Sequence, residues 1–226
     1  MMTMTARTLL ATLTAVSVVA VPAPRASAWA ERPATVDLRP GHLAFEVVGE
    51  VNNFAATPDA PLGSSQQFGY VSNVQGVDSV FTDSNPAHQN ETTALLTFFT
   101  QVTTTRVTAH GPFSIVIREG TTTFYRNSVP ASFATPDSFQ SGDPVLTSTI
   151  RQQVIVDTVE KTFTVVNVNT VTDSDAFDLG GVKIRIGAPG DDIRTSLVGV
   201  LRVRDGVPPP TGYFAGSAVG VARRAR

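Results

Sequence analysis

Between residues 42 and 203 the chain alternates β-branched, threonine-rich stretches with clusters of Gly, Pro, Asn and Asp. No window sustains apolar residues at i, i+3, i+4 and i+7, so no long amphipathic helix is predicted and the stretches read as strands. About ten are expected, over residues 42–51, 67–75, 78–82, 93–109, 113–118, 121–126, 146–157, 161–172, 182–187 and 195–203. Ten strands without helices imply an all-β domain, a single antiparallel β-barrel or alternatively a two-sheet β-sandwich. That domain is expected to span residues 29–206, with 207–226, which contains Pro208-Pro209-Pro210 and ends Arg-Arg-Ala-Arg, as a flexible tail. Three long connections, 52–66, 83–92 and 127–145, are expected at the surface.

Hydrophobic sorting also predicts strand faces, because a one-residue slip moves every side chain to the other face. A three-residue loop His110-Gly111-Pro112 sets Ala109, Val107 and Thr105 opposite Phe113, Ile115 and Ile117. The shorter loop Gly111-Pro112 would oppose Arg106 to Ile117, so sorting favours the longer one. A turn at Glu119-Gly120 then places Ile115 opposite Phe124, and Val107, Ile115, Ile117 and Phe124 share the core face, with Arg106, Arg118 and Tyr125 opposite. In the next hairpin, around Thr158-Val159-Glu160-Lys161, loops of two or four residues give the same parity. Val156 opposes Phe163, Val154 opposes Val165, Gln152 opposes Asn167 and Ile150 opposes Asn169. Three amides, Gln152, Asn167 and Asn169, therefore fall on an apolar face, and a buried unpaired amide costs about 1 to 3 kcal/mol. They must pair with one another, meet solvent or point into a cavity, which makes them the candidate binding residues.

The N-terminal segment adds a destination. Arg7 precedes an apolar run from Leu9 to Val21, and Ala26-Ser27-Ala28 follows; this is the pattern of a secretory signal peptide over residues 1–28. The run is shorter than the roughly 20 residues a spanning helix needs, and Pro22 and Pro24 end it. A secreted or periplasmic protein with no integral membrane span in the mature chain is expected. Removing Arg7 and Arg25 with that segment takes the formal charge from -2 to -4. Mild acidity argues against a nucleic-acid partner. With no cysteine, disulfides and thiolate metal sites are excluded.

Candidate chemistry is sparse. No nucleophile elbow, phosphate loop, dinucleotide fingerprint or H-E-x-x-H motif occurs. His42, His88 and His110 lie far apart, and surface or turn roles are expected of them. The loops Asp173-Ser174-Asp175 with Asp178, and Asp83, Asn85, Asn90 and Glu91, offer oxygen ligands at short spacing. They lack the glycine and terminal glutamate of a calcium loop, so solvated turns and no metal are expected. Asn90-Glu91-Thr92 is a glycosylation sequon. No cofactor is implied and no catalytic residue can be named. The leading expectation is a soluble exported barrel that binds a small, largely apolar ligand or a surface partner. The alternatives are a cofactor-free barrel isomerase, cyclase or hydrolase, and a secreted structural or surface protein without a small-molecule site.

Overall fold

The computed structural model describes residues 34–35, 43–204 and 207–221. The expected signal segment, His42 and residues 222–226 lie outside them. Eleven strands form: β1 (Ala34–Thr35), β2 (Leu43–Phe54), β3 (Ser64–Val74), β4 (Leu96–His110), β5 (Phe113–Arg126), β6 (Asp143–Asp157), β7 (Thr162–Ser174), β8 (Phe177–Leu179), β9 (Val182–Arg185), β10 (Asp192–Arg204) and β11 (Val207–Val221). Eight of them close an antiparallel barrel in the order β2-β3-β4-β5-β6-β7-β10-β11, with β11 returning to β2. The barrel alternative is therefore the right one. A three-stranded sheet, β1-β9-β8, supplies Phe177, Leu179 and Ile184 to the same core as Val74, Leu96 and Val171. It is tied to the barrel end at which β5 and β7 finish, through Arg126 Nε donating to the Asp178 carbonyl at 3.0 Å and Ser174 Oγ donating to the Ile186 carbonyl at 2.9 Å.

The residues that alternate into the lumen are mainly apolar: Phe45, Val47, Phe98, Phe124, Leu197 and Phe214 are all buried. Their rings meet edge-on or tilted, with Phe45 and Phe124 centroids 5.4 Å apart and Phe98 and Phe214 6.2 Å apart, the spacing aromatic quadrupoles prefer. An apolar lumen is the reverse of a lipid-spanning barrel, which turns its apolar residues outward. Among the described residues no helix is long and apolar enough to cross a membrane. Gly199 lies inside between Phe163 and Phe214 on the flanking strands, and a Cβ there would sit 2.3 Å from Phe163 Cζ. The phenylalanine ring fills the place of the missing side chain.

The first hairpin corrects the sequence expectation. Its loop is Gly111-Pro112, His110 pairs with Phe113, and Arg106 does face Ile117. A bulge between Thr104 and Arg106 then shifts the register, so that Thr104 pairs with Arg118. No turn interrupts β5 at Glu119-Gly120; Gly120 is an interior strand position, where a Cβ would meet the Gln101 carbonyl oxygen at 2.0 Å. Phe124 and Arg118, six residues apart on one unbroken strand, share the lumen face, while Ile115 and Ile117 point outward. Val107 is inward but at the rim and 50 % exposed; Ile117 is buried at 5 % despite facing out. Sorting failed because an extra residue in β4 changes the parity of one strand without changing that of the other. Ile115→Ala is accordingly expected to cost no more than about 1 kcal/mol in urea unfolding; a loss of about 2 to 5 kcal/mol, the range for a core isoleucine, would place it back inside.

Two further expectations change. Residues 78–82 form only an isolated bridge, Phe81 to Ala94, and residues 207–221, expected as a flexible tail, are the strand that closes the barrel. Proline argues against a central strand because it lacks a ladder donor. Here Pro208, Pro209 and Pro210 have no register partner on either side; they fall in the irregular stretch where β10 and β11 resume pairing at Arg204 and Val207. The long connection after β5 is not a free loop either. It buries Ala131 and Phe139 against Phe68 and Phe99 on the outer face of β3 and β4, and Thr97 Oγ1 donates to the Phe139 carbonyl at 2.7 Å.

Candidate functional site

The hairpin of β6 and β7 has the register read from the sequence: Ile150 to Asn169, Gln152 to Asn167, Val154 to Val165 and Val156 to Phe163. Gln152, Asn167 and Asn169 are 0 %, 5 % and 6 % exposed, all inside the barrel. Gln152 and Asn167 belong to a longer polar row, in which Arg118, Gln152, Asn167 and Thr195 are register neighbours on β5, β6, β7 and β10. Gln152 Nε2 donates to Asn167 Oδ1 at 3.0 Å, and Asn167 Nδ2 donates to Thr195 Oγ1 at 2.7 Å. Across the lumen Gln67 of β3 joins them: its Nε2 donates to Gln152 Oε1 at 2.9 Å, and Gln152 Nε2 approaches its Oε1 at 3.1 Å. Asn169 stands apart, donating to the Ile193 carbonyl at 3.2 Å. The amides are thus satisfied mainly by one another, as a buried polar network must be.

The crossing side chains divide the lumen. On one side of Gln67 is a cavity of about 40 Å³ lined by Phe45, Phe98, Thr122, Asn167 and Asn169; on the other is a second of about 40 Å³ lined by Gln152, Val154, Phe163 and Arg118. Each has room for about one to three waters and falls well short of the roughly 300 Å³ at which small-molecule sites begin. Arg118 bounds a third space too, the open mouth of the barrel. This hollow is about 380 Å³, walled by Leu62, Val107, Val116, Val156 and Leu201. A wider hollow of about 700 Å³ lies outside, where β2, β10 and β11 present Val48, Val198, Val200 and Tyr213. Among the described residues no cationic or amide side chain lines it.

Arg118, like Ile115 and Ile117, lies on the face opposite to the one expected from the sequence. Its chain crosses from β5 to β2, three strands round the barrel, where Nη2 donates to Asn53 Oδ1 at 2.7 Å. Nε is buried and has no hydrogen-bond partner. Burial lowers the guanidinium to about 10, still far enough above neutrality to keep it cationic. Asn53, Gln67 and Thr195 were missed as well. The pairing of Gln67 with Thr100 on β4 was not legible without the β3–β4 register, but its alternation with Phe68 was a usable signal.

The remaining candidates do not converge. His88 Nδ1 lies 2.8 Å from Asp83 Oδ2 at the surface. A backbone N–H from Asn85 and then the His88 contact hold the Asp83 carboxyl below its usual range. His110 ends β4 at the hairpin, exposed. Among the described residues no three His, Cys, Asp or Glu side chains gather as a metal site would require. Of the described residues lining the two inner cavities, Arg118 alone is titratable, so no acid–base pair among them faces either space. The class defined is a cross-braced, eight-stranded antiparallel barrel with a cationic floor to its mouth. Comparison with family models, with curated proteins and with solved structures finds no match.

Proposed function

We propose that this chain is an exported binding protein that takes a small, largely apolar ligand into the mouth of its barrel. The supporting observation is the 380 Å³ hollow walled by aliphatic side chains, the right size for a compact ligand, above a core whose own cavities are too small to admit one. Aliphatic walls supply affinity through burial of apolar area, and a few fixed polar groups at the floor supply orientation. Export is supported by the pattern of residues 1–28.

The test is titration with N-phenyl-1-naphthylamine, an uncharged dye that brightens in apolar surroundings. Saturable binding is expected, weakened about tenfold or more, or about 1.4 kcal/mol, by Val107→Trp. Val107 is half-exposed at the rim, so the indole should fill the hollow without disturbing the core. Absence of brightening, or equal affinity in the variant, would overturn the reading. For export, mass spectrometry of material outside the cytoplasm should give a chain starting at Trp29 or Glu31; full-length protein found solely in membranes would contradict it.

A further inference from the structure

We infer that the ligand carries a carboxylate head, seated on Arg118 at the floor of the mouth with its apolar body against Val107, Val156 and Leu201. This rests on the reading of the mouth as a ligand site and deepens it. A guanidinium is a rigid fork of five donors and no acceptor, matched in shape to a carboxylate. At Arg118 the one acceptor in place, Asn53 Oδ1, is neutral, and among the described residues no carboxylate pairs with the guanidinium. A charge removed from water without a counter-charge is costly, and proteins retain one where a ligand supplies the missing partner.

The surroundings agree. Ser65, the register partner of Asn53, carries a second buried side-chain polar atom, Oγ, with no hydrogen-bond partner, so this level of the lumen is short of partners for its polar atoms. Lys161 lies at the rim of the same hollow, and among the described residues no Asp or Glu lines it, although the chain as a whole is net acidic. Among the described residues an anion entering the mouth meets two cations and no carboxylate. Its oxygens accept from the terminal guanidinium protons that Asn53 does not take, a charge-assisted contact stronger than a neutral hydrogen bond. The hollow limits the body to a medium-length chain or one ring system.

The experiment compares decanoate with decanol, two ligands of equal length that differ at the head, by calorimetry at pH 8 with the full chain. Decanoate should bind at least about tenfold tighter than decanol. In Arg118→Met that ratio should fall to near one, and in Arg118→Lys, which keeps the charge but not the fork, it should be intermediate. Equal affinity of the two ligands for the wild-type protein overturns the inference, and so does an undiminished ratio in Arg118→Met. If Arg118→Met does not fold, the wild-type ratio and the lysine variant decide. The dye separates the two levels: dye binding without carboxylate preference removes only the head-group inference, whereas no binding of dye, decanol or decanoate removes the mouth site itself.

Discussion

A chain that stops at Arg204 is expected to lose its cooperative unfolding transition altogether. Strand β11 pairs with β10 along one edge and with β2 along the other, and it delivers Phe214 and Ala218, 5 % and 0 % exposed, to the core. Removing it opens the ladder on both sides, so two long strands would present unpaired N–H and C=O groups to other chains. It also withdraws the aromatic ring that meets Phe98 in the lumen. Losing one core phenylalanine alone costs about 3 to 5 kcal/mol, against a total stability of about 5 to 15 kcal/mol for an ordinary domain. Circular dichroism on heating and size-exclusion chromatography read the outcome. A sharp transition in a monomeric truncated chain would show that the strand is dispensable.

Gln152→Leu is expected to be worse than the double variant Gln67→Leu with Gln152→Leu. The single change strips Gln67 of both its contacts and leaves Asn167 Oδ1 without its donor. Each orphaned buried group costs about 1 to 3 kcal/mol, so for these three atoms a loss of about 3 kcal/mol or more is anticipated. In the double variant only Asn167 Oδ1 is left without a partner, and leucine has similar bulk, so about 1 to 3 kcal/mol should be lost. Urea unfolding of the four members of the cycle measures the coupling. Additive losses would mean that the two glutamines do not depend on each other, and the polar row would not be a network.

The difference between the two hairpins explains how much of this was legible. Around Thr158-Val159-Glu160-Lys161 both plausible loops gave one parity, so Gln152, Asn167 and Asn169 came out on the lumen side whatever the turn. Around Gly111-Pro112 the parity depended on a bulge in β4 that leaves no mark in the composition, and the assumption that apolar residues all face one core sent Arg118 to the wrong side. The outward Ile117 is buried for its own local reasons, which the two-face picture has no place for. At the C-terminus the three prolines and the small residues scattered between Gly212 and Gly220 had the composition of a tail. Their role became visible through closure alone, because the need for an eighth strand is a property of the whole barrel and not of any window of sequence. The amide patch was therefore readable as residues, but its partners Gln67, Thr195 and Asn53 belong to strands whose register no local turn fixes.

The place of β11 in the barrel bears on when the protein can fold. Phe45 near the start of β2 is the register partner of Ala218 near the end of β11, so nearly the whole described chain lies inside the loop that this pairing closes. The entropy of closing so long a loop must be met before its contacts repay it, which places such topologies among the slower folders. Folding also cannot finish until the last strand has left the ribosome. Until then β2 and β10 lack their neighbour, and their unpaired N–H and C=O groups stay open to other chains, so the interval before closure is the one in which this protein is most prone to associate wrongly.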